Sequence, residues 1–580
     1  MLEFIQLIKQ RYQSALAQLD NKIPQYFEYQ TRIEQLLYAE AFLRKGQLIN
    51  DFPNFPLQIA VIGPTQAGKS SIVNLLLNND LAGVSPLAGY TVHAQGFCHQ
   101  VSLDDLNGMQ HYFGRFQCLD LTKLSRNRFD SYAIEISLVK SNTLPNCVIW
   151  DTPDFDSIDS NDYREGLIRT LALADMVVLV VSKEKYADQS VWEVMKTIEA
   201  LGQPTLVCLN KLAEGSEKLV LDSLLQKWQQ SRRDPLPHVV SMLFQKPVAK
   251  PLWVKAQQQL LFEIAGQVNR KKHGIQQQQF LSRYWQNWLE PVFAEHRAQE
   301  HWQALVDQAL AQAVTDYRRD FLEHPHHYHT FQAALLNLLK LLEIPGLAKI
   351  MSKTRRAMTW PVRKLVGWGQ GDFKAASDKE VTVLNQIGSH VLIHLADQLM
   401  EKAELESANS KWWRDTAVLL RQKKPELLQD FQAAVVCYHV SFEQAIDAAA
   451  HRLYYKLKEQ PILLNSLRAT RFSTDAGAML LAIQTGGIGV HDFVITPLML
   501  TVTSLLAESA IGGYMQRVEA ELKQHQLQTV KTQLFQAHLH SQLYQIPQLV
   551  HSPTRFNISP QQCRQAEQAL HEKKHGLRIL

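Results

Sequence analysis

Cysteine is scarce, with six in 580 residues, at 98, 118, 147, 208, 437 and 563. They are widely scattered, and no pair has the short spacing of a zinc site, so neither a disulfide framework nor a zinc module organises the chain. Cys147 and Cys208 fall in apolar runs that read as buried strands, as expected of reduced thiols in a cytosolic protein. Long hydrophobic runs are also lacking: no uninterrupted apolar stretch reaches the ~18 residues of a plain membrane span. The opening MLEFIQLIKQRYQ carries charges among its apolar positions, unlike a secretory signal peptide. Charge of one sign is missing too. A formal net charge of +4 is too small to require a nucleic-acid partner, and no specific one is expected. These absences point to a cytoplasmic protein.

What is present is an ordinary globular composition, 46% apolar and 20% charged, on a chain long enough for several domains. One stretch stands out. LQIAVIGPTQAGKSSIVNLLL, residues 57–77, begins as a run of β-formers, breaks at Gly63, and resumes as a helical apolar pattern. Gly63-x-x-x-x-Gly68-Lys69-Ser70 is a phosphate-binding loop between a strand and a helix. Its glycines let backbone N–H groups face the phosphates, Lys69 reaches the β and γ groups, and the Ser70 hydroxyl meets Mg²⁺. The candidate nucleotide contacts are Gly63, Pro64, Thr65, Gln66, Ala67, Gly68, Lys69, Ser70 and Ser71, with the positive end of the helix dipole behind them. The implied ligand is a nucleoside triphosphate.

The chain divides into three stretches. In 1–50, Leu2, Ile5, Ile8, Tyr12, Leu16 and Leu19 recur at helical spacing, and Ile33, Leu36, Leu37 and Leu43 form a second helical series after Pro24. In 51–250, strand-like runs at 132–139, 147–153, 175–182, 205–211 and 238–244 alternate with helical ones, which predicts a mostly parallel sheet covered on both faces. In 251–580, strand signals disappear and Leu, Ala, Gln and Lys dominate, so this region is expected to be all-α.

Phosphoryl transfer needs a carboxylate near Mg²⁺, and Asp151 stands where the apolar run CVIW ends. A switch segment should add a hydroxyl to the metal. VSPLAGYTVHAQGF offers Thr91, about twenty residues past Lys69, with Ser85 as the second candidate.

AGKSSIVNLLL, Thr91, DTPDFDS at 151–157 and LNKLA at 209–213 follow one another as in P-loop GTPases of the translation-factor-related class, and the central stretch resembles their Era-like and dynamin-like members. The resemblance implies GTP and Mg²⁺ as cofactors. Lys69 and Thr91 would be catalytic, while Ser70, Thr91 and Asp151 would hold Mg²⁺. Asn210 and Lys211 would flank the guanine base, and Ser241 matches the base-contacting serine of the last loop. The chain departs from the family pattern twice. Asp154 replaces the glycine of DTPG, and a carboxylate there repels the γ-phosphate unless it faces away or binds a cation. Ala213 replaces the aspartate of NKxD, which removes the bidentate acceptor for guanine; Glu214 lies one residue on. The position of Gln66 is often Asn in relatives that use potassium.

Two segments of the helical region invite a membrane reading. Residues 335–368 combine apolar runs, Trp360 and Trp368 with Lys340, Lys349, Lys353, Arg355, Arg356, Arg363 and Lys364 against Glu343. That suits an interfacial helix on an anionic leaflet, and equally a basic hairpin packed on its neighbours. Residues 476–515 are the most apolar part of the chain, split by Gly486, Gly487 and Gly489. Arms this short favour a buried helical hairpin or a re-entrant insertion over a true span, and of these the buried core is the expectation. The histidines of HPHHYH and the glutamines 276–279 read as solvated surface.

Two functions compete. One is a GTPase of dynamin-like build, peripheral at the inner face of the membrane, with lipid and further copies of itself as partners. The other is a soluble, hydrolysis-poor regulator that binds protein partners through its helices.

Overall fold

The structure, a computed structural model, describes residues 1–84, 91–125, 127–138, 144–155, 161–232, 235–243, 255–266, 270–323, 329–342, 379–406, 409–469 and 506–571. Ser85, residues 343–368, residues 476–505 and the histidines 324, 326 and 327 lie outside them. The chain divides into two compact units, Met1–Phe293 with Pro553–Leu580, and Ala294–Ser552.

The first unit is built on an eight-stranded sheet in the order β3-β4-β2-β5-β1-β6-β7-β8. Its strands are β1 (Leu57–Ile62), β2 (Ala94–His99), β3 (Gln117–Cys118), β4 (Ser131–Ile136), β5 (Cys147–Asp151), β6 (Met176–Ser182), β7 (Thr205–Leu212) and β8 (His238–Leu243). Every pairing is parallel except that of β2 with β5. The mostly parallel sheet predicted for 51–250 is therefore present, with two strands between Leu77 and Tyr132 that sequence patterning does not predict. AQGFCH contains no β-branched residue, so propensity is silent there; the open edge of β5 supplies the partner that makes it a strand.

Strand periodicity sorts the two faces. Ile59, Val61, Val178, Val180 and Cys208 pack with Ile72, Val73 and Leu76 of helix α3 (Lys69–Leu77). The alternate residues Ala60, Ile62, Val177, Leu179, Val207 and Leu209 face the other way. That face is covered by α1 (Leu2–Leu16), through Ile5 and Ile8, and by α2 (Pro24–Asp51), through Ile33 and Leu36. With apolar residues needed on both sides, the strands read as continuous hydrophobic runs. The buried Tyr12 donates its hydroxyl to the Trp288 carbonyl at 3.0 Å, and Arg32 donates to Tyr12 at 3.0 Å, which ties both N-terminal helices to the long helix after the sheet. Cys563, Ala566 and Leu570 of the C-terminal helix Pro560–His571 join the same core.

The second unit is helical throughout its described residues. Its long helices Lys379–Leu405 and Ser410–Lys458 share a core with Trp302, Tyr317, Phe535 and Leu543. The described ends of both candidate membrane segments lie in this core: Leu335, Leu338, Leu339 and Leu342 of the first, and Leu506, Ile511 and Met515 of the second, are buried. Among the described residues no helix is long and apolar enough to cross a membrane.

Candidate nucleotide-binding site

The loop from Gly63 to Gly68 leaves β1 at the carboxyl edge of the parallel sheet, beside the point where chain order reverses between β5 and β6, which is where open α/β sheets bind ligands. Both glycines are obligatory. A Cβ on Gly63 would lie 2.3 Å from the Val180 carbonyl oxygen. Gly68 has φ of +93°, and a Cβ there would lie 2.4 Å from Nδ2 of Asn210. Gln66 takes φ of +61° without being glycine, and the end of β7 props it there: Lys211 Nζ donates to the Gln66 carbonyl at 2.7 Å, and Asn210 Nδ2 to the Ala67 carbonyl at 2.9 Å. Asn210 and Lys211 thus stand directly behind the loop. Ser71 is exposed on the first turn of α3, Pro64 is buried and Thr65 half-buried.

Four predicted residues converge at the front. Ser70 donates its hydroxyl to Asp151 Oδ2 at 2.6 Å, and Thr91 reaches the same oxygen at 3.4 Å. Asp151 is fully buried at the end of β5, where burial pushes its carboxyl up to about 6 against the opposing pull of Lys69 and the Ser70 hydroxyl. Its other oxygen, Oδ1, has no hydrogen-bond partner among the described residues. Lys69 is 5% exposed and forms an ion pair with Asp154, itself 6% exposed. Of the alternatives for Asp154, facing away or binding a cation, the second holds, and the cation is the loop lysine. Ser241 sits farther out, on β8 in register with Leu209. Ala213 and Glu214 are exposed where the chain leaves β7.

Two contributors carry no sequence signal. Tyr163, on the helix Asn161–Leu173, donates its hydroxyl to the Asp154 carbonyl at 2.8 Å and fixes the backbone that holds the carboxylate. Asn74 brackets Ala82 with both ends of its amide, at 2.7 and 2.9 Å, and so anchors the chain just before the Thr91 segment. Nothing about an isolated Tyr or Asn at those distances along the chain marks either role.

Residues 58–211 match the family described as 50S ribosome-binding GTPase. The matched region is a P-loop GTPase domain. The chain is similar to the tRNA modification GTPase MnmE of Rickettsia canadensis, 48% identical over 48 residues, covering 8% of this chain and 10% of that protein. It is also similar to the mitochondrial tRNA modification GTPase gtpbp3 of Dictyostelium discoideum, 30% identical over 108 residues, or 17% of this chain and 20% of that one. The matches thus span a tenth to a fifth of these relatives' length. Among solved structures, one titled as an oligomerised bacterial dynamin pair aligns over 97% of this chain and 98% of its own at 11% identity and a TM-score of 0.34.

Proposed function

We propose that this protein binds GTP with Mg²⁺ and hydrolyses it, and that the resulting switch drives a helical region working at a membrane surface, as in a GTPase of dynamin-like build. The convergence of Ser70, Thr91 and Asp151 on one point in front of the loop carries the nucleotide part of this reading. A buried carboxylate oxygen without a partner, beside two hydroxyls, is a hard all-oxygen donor set of the kind Mg²⁺ prefers, so the residues fit the metal. Ser70, Thr91 and Asp151 would hold Mg²⁺, and the charge neutralisation needed for phosphoryl transfer to water would be supplied by the bound ion. The backbone N–H groups between Gly63 and Ser71, Pro64 excepted, would cradle the phosphates. Lys69 would neutralise the γ-phosphate, and Thr91 would report its presence by ordering the switch segment. Asn210 and Lys211 would flank the guanine from behind the loop, with Ser241 approaching from β8. Without an aspartate at position 213, discrimination against adenine would be weak.

The membrane part rests on residues 335–368, whose basic and tryptophan-rich portion beyond Leu342 suits an anionic leaflet at about 1 kcal/mol per basic residue. Partners would be lipid and further copies of the chain, and the location peripheral, on the cytoplasmic side. One observation favours the second reading, a soluble and hydrolysis-poor regulator: Lys69 is already neutralised by Asp154.

Titration of the full chain with labelled GTP and ATP, in the presence of Mg²⁺, tests the nucleotide assignment. GTP is expected to bind, with a preference over ATP well below that of a guanine site bearing the aspartate. Lys69→Ala should abolish binding of both, and unchanged binding by that variant would overturn the site.

A further inference from the structure

Asp154 has a property that neither a structural carboxylate nor a plain phosphate loop requires. It is an acid held at the ammonium of the loop lysine. Lys69 and Asp154 are both more than nine-tenths buried. Apart from the Pro64 carbonyl at 3.5 Å, the Asp154 carboxylate is the oxygen group seen on Lys69 Nζ. Tyr163, 2% exposed, donates to the Asp154 carbonyl and fixes the backbone there, so release of Lys69 falls to rotation of the Asp154 side chain.

A carboxylate and a γ-phosphate cannot share that ammonium without close like-charge repulsion in a site shielded from water. From this geometry we infer that Asp154 is an internal anion that occupies the γ-phosphate position on Lys69, so that GTP binds only by displacing it. The inference rests on the nucleotide reading above. It makes Asp154 a specificity-determining residue: a triphosphate brings a γ group that needs the place Asp154 holds on Lys69 and must break the pair, whereas a diphosphate brings only its β group to the ammonium and can leave the carboxylate where it is. The chain is therefore biased toward the diphosphate state, and its apparent affinity for GTP is reduced by the fraction of molecules in which Asp154 has released Lys69. The pair also compensates the buried ammonium in the nucleotide-free protein, and removing its acid leaves an unpaired buried charge.

These two roles pull in opposite directions, and that makes them testable on the full chain. Labelled GTP and GDP are titrated against wild type, Asp154→Asn and Asp154→Gly with Mg²⁺ present, and thermal midpoints are recorded with and without nucleotide. Asp154→Asn should bind GTP about tenfold or more tightly than wild type, with a change in GDP affinity of less than about threefold. Its midpoint should fall without nucleotide and rise further than wild type when GTP is added. Asp154→Gly should move GTP affinity in the same direction, which guards against an asparagine that merely misfolds. Equal shifts for GTP and GDP, unchanged affinities, or weaker GTP binding in both variants would overturn the inference while leaving the nucleotide site in place. If wild type and both variants bind neither nucleotide, the reading of the site itself fails and this inference falls with it.

Discussion

A single methyl group at the head of β1 is enough to close the loop. The Cβ that Gly63→Ala would add meets the Val180 carbonyl at 2.3 Å, and the obstacle is backbone in the middle of the sheet rather than a side chain that can turn aside. The variant is expected to lose about 1–3 kcal/mol of stability, read as a lower denaturant midpoint, because overpacking of this kind must push strands apart. A midpoint equal to wild type would show that β6 yields at no cost. Gly63, Gly68, Lys69 and Ser70 were legible as residues because their spacing is dictated by the shape of a phosphate, the same in any fold that uses this loop. Asp154 was legible only as a departure from a pattern. That its carboxylate turns onto Lys69 depends on how the ends of β1 and β5 are placed side by side, with Val61 opposite Asp151.

Buried charges also fasten the elements that flank the sheet. Asp175, immediately before β6, accepts Gln58 N–H at 3.0 Å and pairs with Lys45 of α2 at 3.0 Å and with Arg270 at 2.6 Å. Beside this cluster His273 opens the helix His273–Tyr317, with its Nε2 3.1 Å from the Phe42 carbonyl. Burial, with Lys45 adding to it, lowers the His273 pKa from its ordinary 6.5 to about 4. The unfolded chain therefore binds a proton between those values that the folded chain refuses. Stability is full above pH 6.5, declines as pH falls toward 4, and the loss levels off below that. The displacement corresponds to about 3 kcal/mol. His273→Gln should flatten the pH dependence of the unfolding midpoint across that window, and an undiminished slope would assign the acid sensitivity to other groups. Element identity was easy to read where one rule dominated, as in the apolar runs of β1, β5, β6 and β7 or the helical spacing of Ile5, Ile8 and Tyr12. It was hidden in β2, where Ala94, Gln95 and Gly96 carry no strand preference and pairing with Trp150 and its neighbours decides.

At the scale of the whole molecule, the first unit gathers the two N-terminal helices, the sheet and the C-terminal helix Pro560–His571 around one nucleotide site, and the second is a helical bundle with its own core. Leu335, Leu338, Leu339 and Leu342 belong to that core, so on the membrane proposal any lipid-facing part of the first candidate segment would have to lie after them in the sequence. Full-length protein is expected to float with anionic liposomes, and replacing Lys349, Lys353, Arg355, Arg356, Arg363 and Lys364 with glutamine should sink it without unfolding the bundle, because no buried leucine is touched. If wild type stays at the bottom of the gradient, the soluble regulator becomes the better description.

The amino-acid order alone determined the phosphate loop, the parallel α/β character of the central stretch and the helical character of the C-terminal half, because these depend on local spacing and on periods of two and 3.6 residues. Tertiary structure decided which groups meet: Asn210 and Lys211 behind the loop, Ser70 and Thr91 on Asp151, Asp154 on Lys69, and Gln278 on the Leu570 carbonyl of the helix Pro560–His571. Those encounters join residues tens to hundreds of positions apart. No local preference encodes them, since their energies exist only once burial has removed water from both partners.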